Sequence, residues 1–271
     1  MTDPAGPSDQ RAANELLELM RIVRKLRAPD GCPWDREQTP ASLIPYLLEE
    51  AYETVETIEE NDVDGLRKEL GDLLLHIVMQ AEMATEAGQF KLQDAIASIN
   101  EKLIRRHPHV FDEQGTAAGR AADATTNWEK AKQQEGRESW LDGVPKNLPG
   151  LIRAQRVQEK ASRVGFDWDN VLPALEKAHV ELDELLEVYR SGDKGKIRVE
   201  FGDVLVSLVN VGRLMSLDAE TSMRIAVDKF DARFRKLESV FKEEGRDLEA
   251  ASLEEMDEVW DRIKHKVSYR R

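Results

Sequence analysis

The chain has 271 residues, enough for one large domain or two of ordinary size, with 53 acidic residues against 39 basic and a net charge of −14. So acidic a surface repels a phosphate backbone and disfavours long nucleic acid as a partner, while one phosphorylated small molecule stays within reach if a cation mediates. A single cysteine, Cys32, excludes an intramolecular disulfide and a thiolate zinc cluster, and no apolar run has the length of a membrane span.

The opening MTDPAGPSDQ has neither the basic nor the apolar region of a signal, so it reads as a flexible lead, and the expected location is the cytoplasm. Apolar residues recur at helical spacing almost throughout and sustained period-two alternation is absent, which predicts an all-α fold. Helices are predicted near 10–27, 46–60, 64–88, 92–107, 124–134, 148–164, 171–191, 195–216, 219–244 and 252–267. Leu47, Leu48, Ala51, Val55 and Ile58 form the stripe of the second, and Leu66, Leu70, Leu73, Leu74, Ile77, Val78 and Ala81 that of the third. Gly88 and Pro108 end helices. Gly136, Gly143, Pro145, Pro149 and Gly150 cluster between two helical halves, which predicts an N-terminal domain at 1–135, a linker at 136–150 and a C-terminal domain at 151–271.

The two halves repeat. LEEAYETVE from Leu48 and KELGDLLL from Lys68 return as VELDELLE from Val180 and VEFGDVLV from Val199. Glu50, Glu53, Glu69 and Asp72 map onto Glu181, Glu184, Glu200 and Asp203 by one shift of 131, since 181 − 50 and 203 − 72 agree. Lys102 and Arg106 match Lys229 and Arg233, Trp128 and Lys132 match Trp260 and Lys264, and Trp34 in CPWD pairs with Trp168 in FDWD. The pattern predicts two tandem helical bundles from an internal duplication, each with a four-carboxylate site.

A spacing of three puts two carboxylates on one helical face, one turn apart. The residues between the pairs contain a turn, Glu60-Asn61-Asp62 or Ser191-Gly192-Asp193, so two antiparallel helices would bring both pairs together. Gly71 and Gly202, beside the aspartates, are expected to let helices approach closely. One E-x-x-E on a helix is usually a solvated face; here the pairs abut apolar stripes and the spacing repeats unchanged. Four facing carboxylates cannot all stay ionised without a partner, and an all-oxygen set suits Mg²⁺ or Mn²⁺ rather than zinc or copper. The expected metal ligands are therefore Glu50, Glu53, Glu69 and Asp72, and Glu181, Glu184, Glu200 and Asp203. A di-iron bundle would call for Glu-x-x-His, whereas His76 follows Asp72 by four and Ser207 holds the equivalent place. Redox iron is not expected, and His76 reads as a polar side chain at the edge of the helix interface.

Lys102, Arg105 and Arg106 crowd a helix end, where cations complement the dipole. Lys229 and Arg233 keep the same four-residue spacing in mid-helix, where that account fails, and a phosphate chain needs fixed positive donors. Trp128 with Lys132 and Trp260 with Lys264 read equally as core rings or as stacking rings beside a phosphate-binding ammonium. No obvious set of Asn, Gln or Asp is placed to read a base edge, so broad acceptance of bases is expected.

From CPWD through LLEEAYE, KELGDLLL, EKLIRRHPHVF and SWLDGVPKNLP to VWDRIK, the chain resembles the MazG family of nucleoside triphosphate pyrophosphohydrolases, in the all-α NTP pyrophosphatase superfamily. The family motif EE-x-x-E, a spacer and E-x-x-D is met by Glu49, Glu50, Glu53, Glu69 and Asp72. The resemblance implies Mg²⁺-dependent cleavage of a nucleoside triphosphate between the α and β phosphates, releasing NMP and pyrophosphate, in a homodimer. The second half departs from the pattern, with Val180 in the place of Glu49 and Val227 in that of Asn100. On this reading Glu49, Glu53 or Glu184 takes a proton from the attacking water. Lys102, Arg106 and Lys132, or Lys229, Arg233 and Lys264, steady the pyrophosphate, and Trp128 or Trp260 contacts the base. Nucleotide-pool cleaning is the expected role. The rivals are a related pyrophosphatase acting on dUTP or phosphoribosyl-ATP, and a nucleotide-sensing regulator without turnover.

Overall fold

The computed structural model describes residues 6–111 and 138–264; the predicted helix at 124–134, with Trp128 and Lys132, lies outside the described residues. Every regular element among the described residues is an α-helix. The chain divides into two compact units, Met1–Glu135 and Gly136–Arg271.

The first unit holds α1 (Pro7–Arg27), α2 (Pro33–Glu37), α3 (Ile44–Glu60), α4 (Val63–Glu86), α5 (Leu92–Arg106) and α6 (Pro108–Phe111). Periodicity does not reveal α2, whose five residues are too few for a stripe; Pro33 at its first turn starts it. Pro108 ends α5 and opens α6, two consequences of its missing N–H. The core gathers Val23, Leu43, Val78, Met79, Ala81, Met83 and Leu92, so α4 is the central helix, with α1, α3 and α5 packed on it.

The second unit holds α7 (Gly150–Ser162), α8 (Val171–Ser191), α9 (Lys194–Leu214), α10 (Ala219–Glu243) and α11 (Leu253–Lys264). Its core is in two pieces. Ala174, Ala178 and Val211 join α8 to α9, and Leu237, Phe241, Val259 and Ile263 join α10 to α11. Residues of the predicted linker fold onto this unit, for Lys160 Nζ on α7 donates to the Asp142 carbonyl at 2.8 Å.

Both hairpins turn by the same device. Asn61 after α3 and Gly192 after α8 adopt left-handed φ of 58° and 73°, a conformation Gly and Asn tolerate best. The next residue caps the following helix: Asp62 accepts from Gly65 N at 3.0 Å, and Asp193 from Gly195 N at 3.0 Å and Lys196 N at 3.2 Å. A Cβ on Gly65 would lie 2.4 Å from Asp62 Oδ2 and 2.8 Å from Thr57 Cγ2, so a larger residue there would make the capping side chain shift. Gly71 and Gly202 do not act as expected, since a Cβ at either meets nothing within 4 Å. Close approach comes from small residues elsewhere, such as Ala174 and Ala178 of α8.

Candidate functional site

On α8 the buried stripe runs Ala174, Ala178, Glu181, at steps of four and three, so the packing that joins α8 to α9 carries Glu181 into their seam at 8 % exposure. The corresponding stripe runs from Leu43, which precedes α3, through Leu47, Glu50 and Thr54 of α3. Each carboxylate is therefore held by the helix packing itself.

Glu50 of α3 meets Glu69 and Asp72 of α4, and Glu181 and Glu184 of α8 meet Glu200 of α9; within each set the ligand oxygens lie within 4.8 Å of one another. The structure thus brings together six of the eight expected ligands in two triplets. Glu53 and Asp203 stand beside them. Glu53 is coupled to Glu69 by charge and by a side-chain hydrogen bond, and the charge of Asp203 is felt by Lys177.

The electrostatics show what such crowding costs. Burial, then the charges of Asp72, Glu53, Glu69 and Glu49, push the Glu50 carboxyl above the usual glutamate range. Burial and the charges of Glu69 and Glu49 raise Glu53 as well. Glu184 is different. The Lys177 ammonium pulls it down, yet burial together with Glu181 and Glu200 outweighs that pull and leaves it raised. Lys177 Nζ donates to Glu181 Oε1 at 2.6 Å, so the second cluster contains its own cation. Sequence reading missed Lys177, although the i, i+4 Lys–Glu step was visible. The shift of 131 puts Tyr46 in its place in the first half, where the ring meets Trp34 edge-on at 6.0 Å between centroids.

The donor set fits a hard divalent cation: carboxylate oxygens alone, converging from two helices, with Glu50 and Glu184 raised by burial and by neighbouring carboxylates. His76 is buried rather than at an edge. At 8 % exposure its Nδ1 has no hydrogen-bond partner, and burial lowers its pKa against the pull of Asp72.

The expected phosphate-binding residues are less uniform. Lys102 is half-buried on α5, whereas Arg106 is buried at 8 % exposure, packed within the first unit instead of standing at its surface. Lys229 and Arg233 lie half-buried on α10, and Lys264 is exposed at the end of α11. The Trp260 ring packs on the α10–α11 core, 5.3 Å from Phe230 between centroids, with the Arg233 guanidinium 6.0 Å away. Its environment is thus partly core and partly cationic, and both readings from the sequence keep a physical basis. Glu49 is exposed beside Glu50.

An all-helical chain with acidic hairpins of the EE-x-x-E, E-x-x-D kind falls in the class of nucleotide pyrophosphohydrolases. The family model for the MazG nucleotide pyrophosphohydrolase domain matches residues 38–111, the span that contains α3 to α6. Similarity extends well beyond that span. The chain is 41 % identical over 258 residues to the nucleoside triphosphate pyrophosphohydrolase of Escherichia coli (strain K12), covering 93 % of this chain and 97 % of the relative. It is 44 % identical over 250 residues to the nucleoside triphosphate pyrophosphohydrolase/pyrophosphatase MazG of Thermotoga maritima, covering 91 % and 94 %. The chain belongs to the MazG family of nucleoside triphosphate pyrophosphohydrolases, and so to the hydrolases. No helix among the described residues is long and apolar enough to cross a membrane.

Proposed function

We propose that the chain hydrolyses nucleoside triphosphates between the α and β phosphates, with Mg²⁺ or Mn²⁺ as cofactor, and clears unwanted nucleotides from the cytoplasmic pool. The observation that carries this reading is the convergence of Glu50, Glu69 and Asp72 across one hairpin, inside the family's matched span, and of Glu181, Glu184 and Glu200 across the other.

Glu50, Glu69 and Asp72, or Glu181, Glu184 and Glu200, would hold a divalent cation, which would offset the negative charge of the triphosphate. The protein's own part is to place and to move protons. Glu53 stands outside the tight first triplet with its pKa raised by burial and by Glu69, the direction a general base near neutral pH requires. Glu184 has the same direction in the second half, and Glu49 stands beside the first cluster as a further acceptor for the proton of water. Lys229, Arg233 and Lys264, with Lys102 and Arg106 as first-half counterparts, supply cationic donors for the departing pyrophosphate. Trp260 would stack on the base, as Trp128 beside Lys132 would in the first half.

The reading includes a homodimer. On α4, Leu70, Leu74 and Ile77 lie at steps of four and three and remain exposed, Leu70 and Ile77 at 52 % each. On α9, Phe201 and Leu208 repeat two of these places at 53 % and 48 % exposure. Val78, expected in the same stripe, is instead buried against the first unit's core. Apolar stripes of this width are normally covered by another helix, and a second copy of the chain provides one.

The test is release of pyrophosphate and NMP from ATP, GTP, CTP, UTP and their deoxy forms, with Mg²⁺ and with chelator. Turnover of several of them that stops with chelator is expected. Cleavage confined to dUTP or phosphoribosyl-ATP would move the substrate class, and binding without turnover would make the chain a sensor.

A further inference from the structure

The first unit has a cavity of about 330 Å³ on the side of α4 away from the carboxylates. Ala81, in its wall, follows Asp72 by nine residues (81 − 72), two and a half turns at about 3.6 residues per turn, so the two stand on opposite faces of the helix. Met20 of α1 and Leu92 of α5 complete the apolar floor. α1 and α5 each pack on α4, and the cavity lies between them. Its volume is at the small end of the range for ligand sites, about 300–1,000 Å³.

The rim is cationic, in a chain whose net charge is −14. Arg24 gives its Nε to Glu82 Oε1 at 3.2 Å, and both of its Nη groups are left without a partner among the described residues. Lys91 engages Asp94 through its backbone N–H at 2.8 Å, while its ammonium makes no ion pair among the described residues. The lining therefore carries two cations, Arg24 and Lys91, against one carboxylate, Glu82. A monoanion balances that excess, and a dianion exceeds it.

The start of α5 adds donors. Leu92 and Gln93 hold its first two positions and line the cavity, and neither N–H has a partner among the described residues. The second unit closes the same place with a side chain of its own. Leu92 corresponds to Ala219 at the shift of 127 that pairs Lys102 with Lys229, and Met20 corresponds to Gln155 at the shift of 135 that pairs Arg21 with Arg156 and Lys25 with Lys160. Ala219 N–H donates to Gln155 Oε1 at 3.0 Å. Met20 has no oxygen to offer, so in the first unit the acceptor has to come from a ligand or from water.

We propose that this cavity binds a small organic monoanion, a carboxylate on a short branched apolar body. Arg24, Lys91 and the opening N–H groups of α5 hold the carboxylate, and the body lies against Met20 and Ala81. The site is separate from both carboxylate clusters and does not rest on the hydrolase reading. Because the ligand ties α1 to α5, it should also raise the Tm of the chain.

The test is calorimetry on the full chain without nucleotide, with 3-methylbutanoate, its neutral amide and inorganic phosphate as probes. Saturable binding of 3-methylbutanoate is expected, about tenfold tighter than that of either other probe, because the amide lacks the charge and phosphate lacks the body. Arg24→Gln should weaken 3-methylbutanoate about tenfold and leave the fold nearly unchanged, since its ion pair with Glu82 is more than half exposed on the arginine side. Met20→Gln, which gives the first unit the acceptor the second already has, should raise the Tm of the free chain and weaken the same probe. If Met20→Gln does not fold, Arg24→Gln decides alone. Absence of saturable binding overturns the proposal. So does equal affinity for the amide, or phosphate bound as tightly as 3-methylbutanoate. An affinity for 3-methylbutanoate unchanged in Arg24→Gln puts its site elsewhere and overturns the proposal as well.

Discussion

The α3–α4 and α8–α9 hairpins share their left-handed turn, their aspartate cap and their carboxylate register, and they differ in what surrounds the charge. The first cluster has Glu49 and an aromatic pair, Tyr46 with Trp34, beside it, and its register runs on into a sealed core through His76 and Met79. The second has Val180 in place of Glu49, Lys177 paired with Glu181, and an open cavity one turn further along α9. The first hairpin therefore concentrates more negative charge and offers less room. The second balances its charge and has a cavity beside it. A shared motif fixes where carboxylates stand, while neighbours a turn away set how strongly they repel and what can be bound beside them.

The largest effect that would break this comparison is on turnover. With turnover carried by the second hairpin, Glu181→Ala should lower kcat/KM for ATP by about a hundredfold, in the range seen when a group stabilising transition-state charge is lost. Glu50→Ala should lower it by less than about tenfold. Pyrophosphate release by the two variants measures this, and the reverse order would place catalysis in the first hairpin.

A smaller effect concerns the metal-free protein. Because the Glu50 carboxyl is raised, its contribution to folding is complete below the ordinary glutamate range and is lost as pH rises through the raised value. At neutral pH its repulsion with Asp72, Glu53 and Glu69 destabilises the fold. Glu50→Gln should then raise the Tm of the metal-free protein by about 2 °C at pH 7.5, and by less near pH 4, where wild type is itself protonated. Saturating Mg²⁺ should raise the wild-type Tm and remove the advantage of the variant. Melting curves at the two pH values decide, and a variant less stable at pH 7.5 without metal would contradict the repulsion.

The smallest effect sharpens the contrast between the clusters. Lys177→Met removes the cation that Glu181 already has, so Mg²⁺ has no resident charge to displace and should bind the second cluster about threefold more tightly, a modest factor for a half-exposed ion pair. Calorimetry without nucleotide reads this directly; weaker metal binding would show that Lys177 orients Glu181 for the ion.

The sequence by itself determined the all-helical fold, the carboxylate hairpins and their family. Those features are written in local periodicity, in the three-residue spacing and in a repeat at constant shift, none of which needs distant contacts. It also placed the turns at Asn61 and Gly192, residues that tolerate left-handed backbone. What only the tertiary structure decided lies between segments far apart in the chain. Arg106 turned out buried, His76 moved from the interface edge into the core, and Gly71 and Gly202 proved to have open space where close approach was expected. The i, i+4 step from Lys177 to Glu181 is local to α8, and what tertiary packing added is Glu200 of α9 brought to the same carboxylates. Gln158 and Asn210 are 52 positions apart (210 − 158), and only the packing of α7 on α9 brings them to one cavity, where Gln158 donates to the Val206 carbonyl and Asn210 accepts from Arg213.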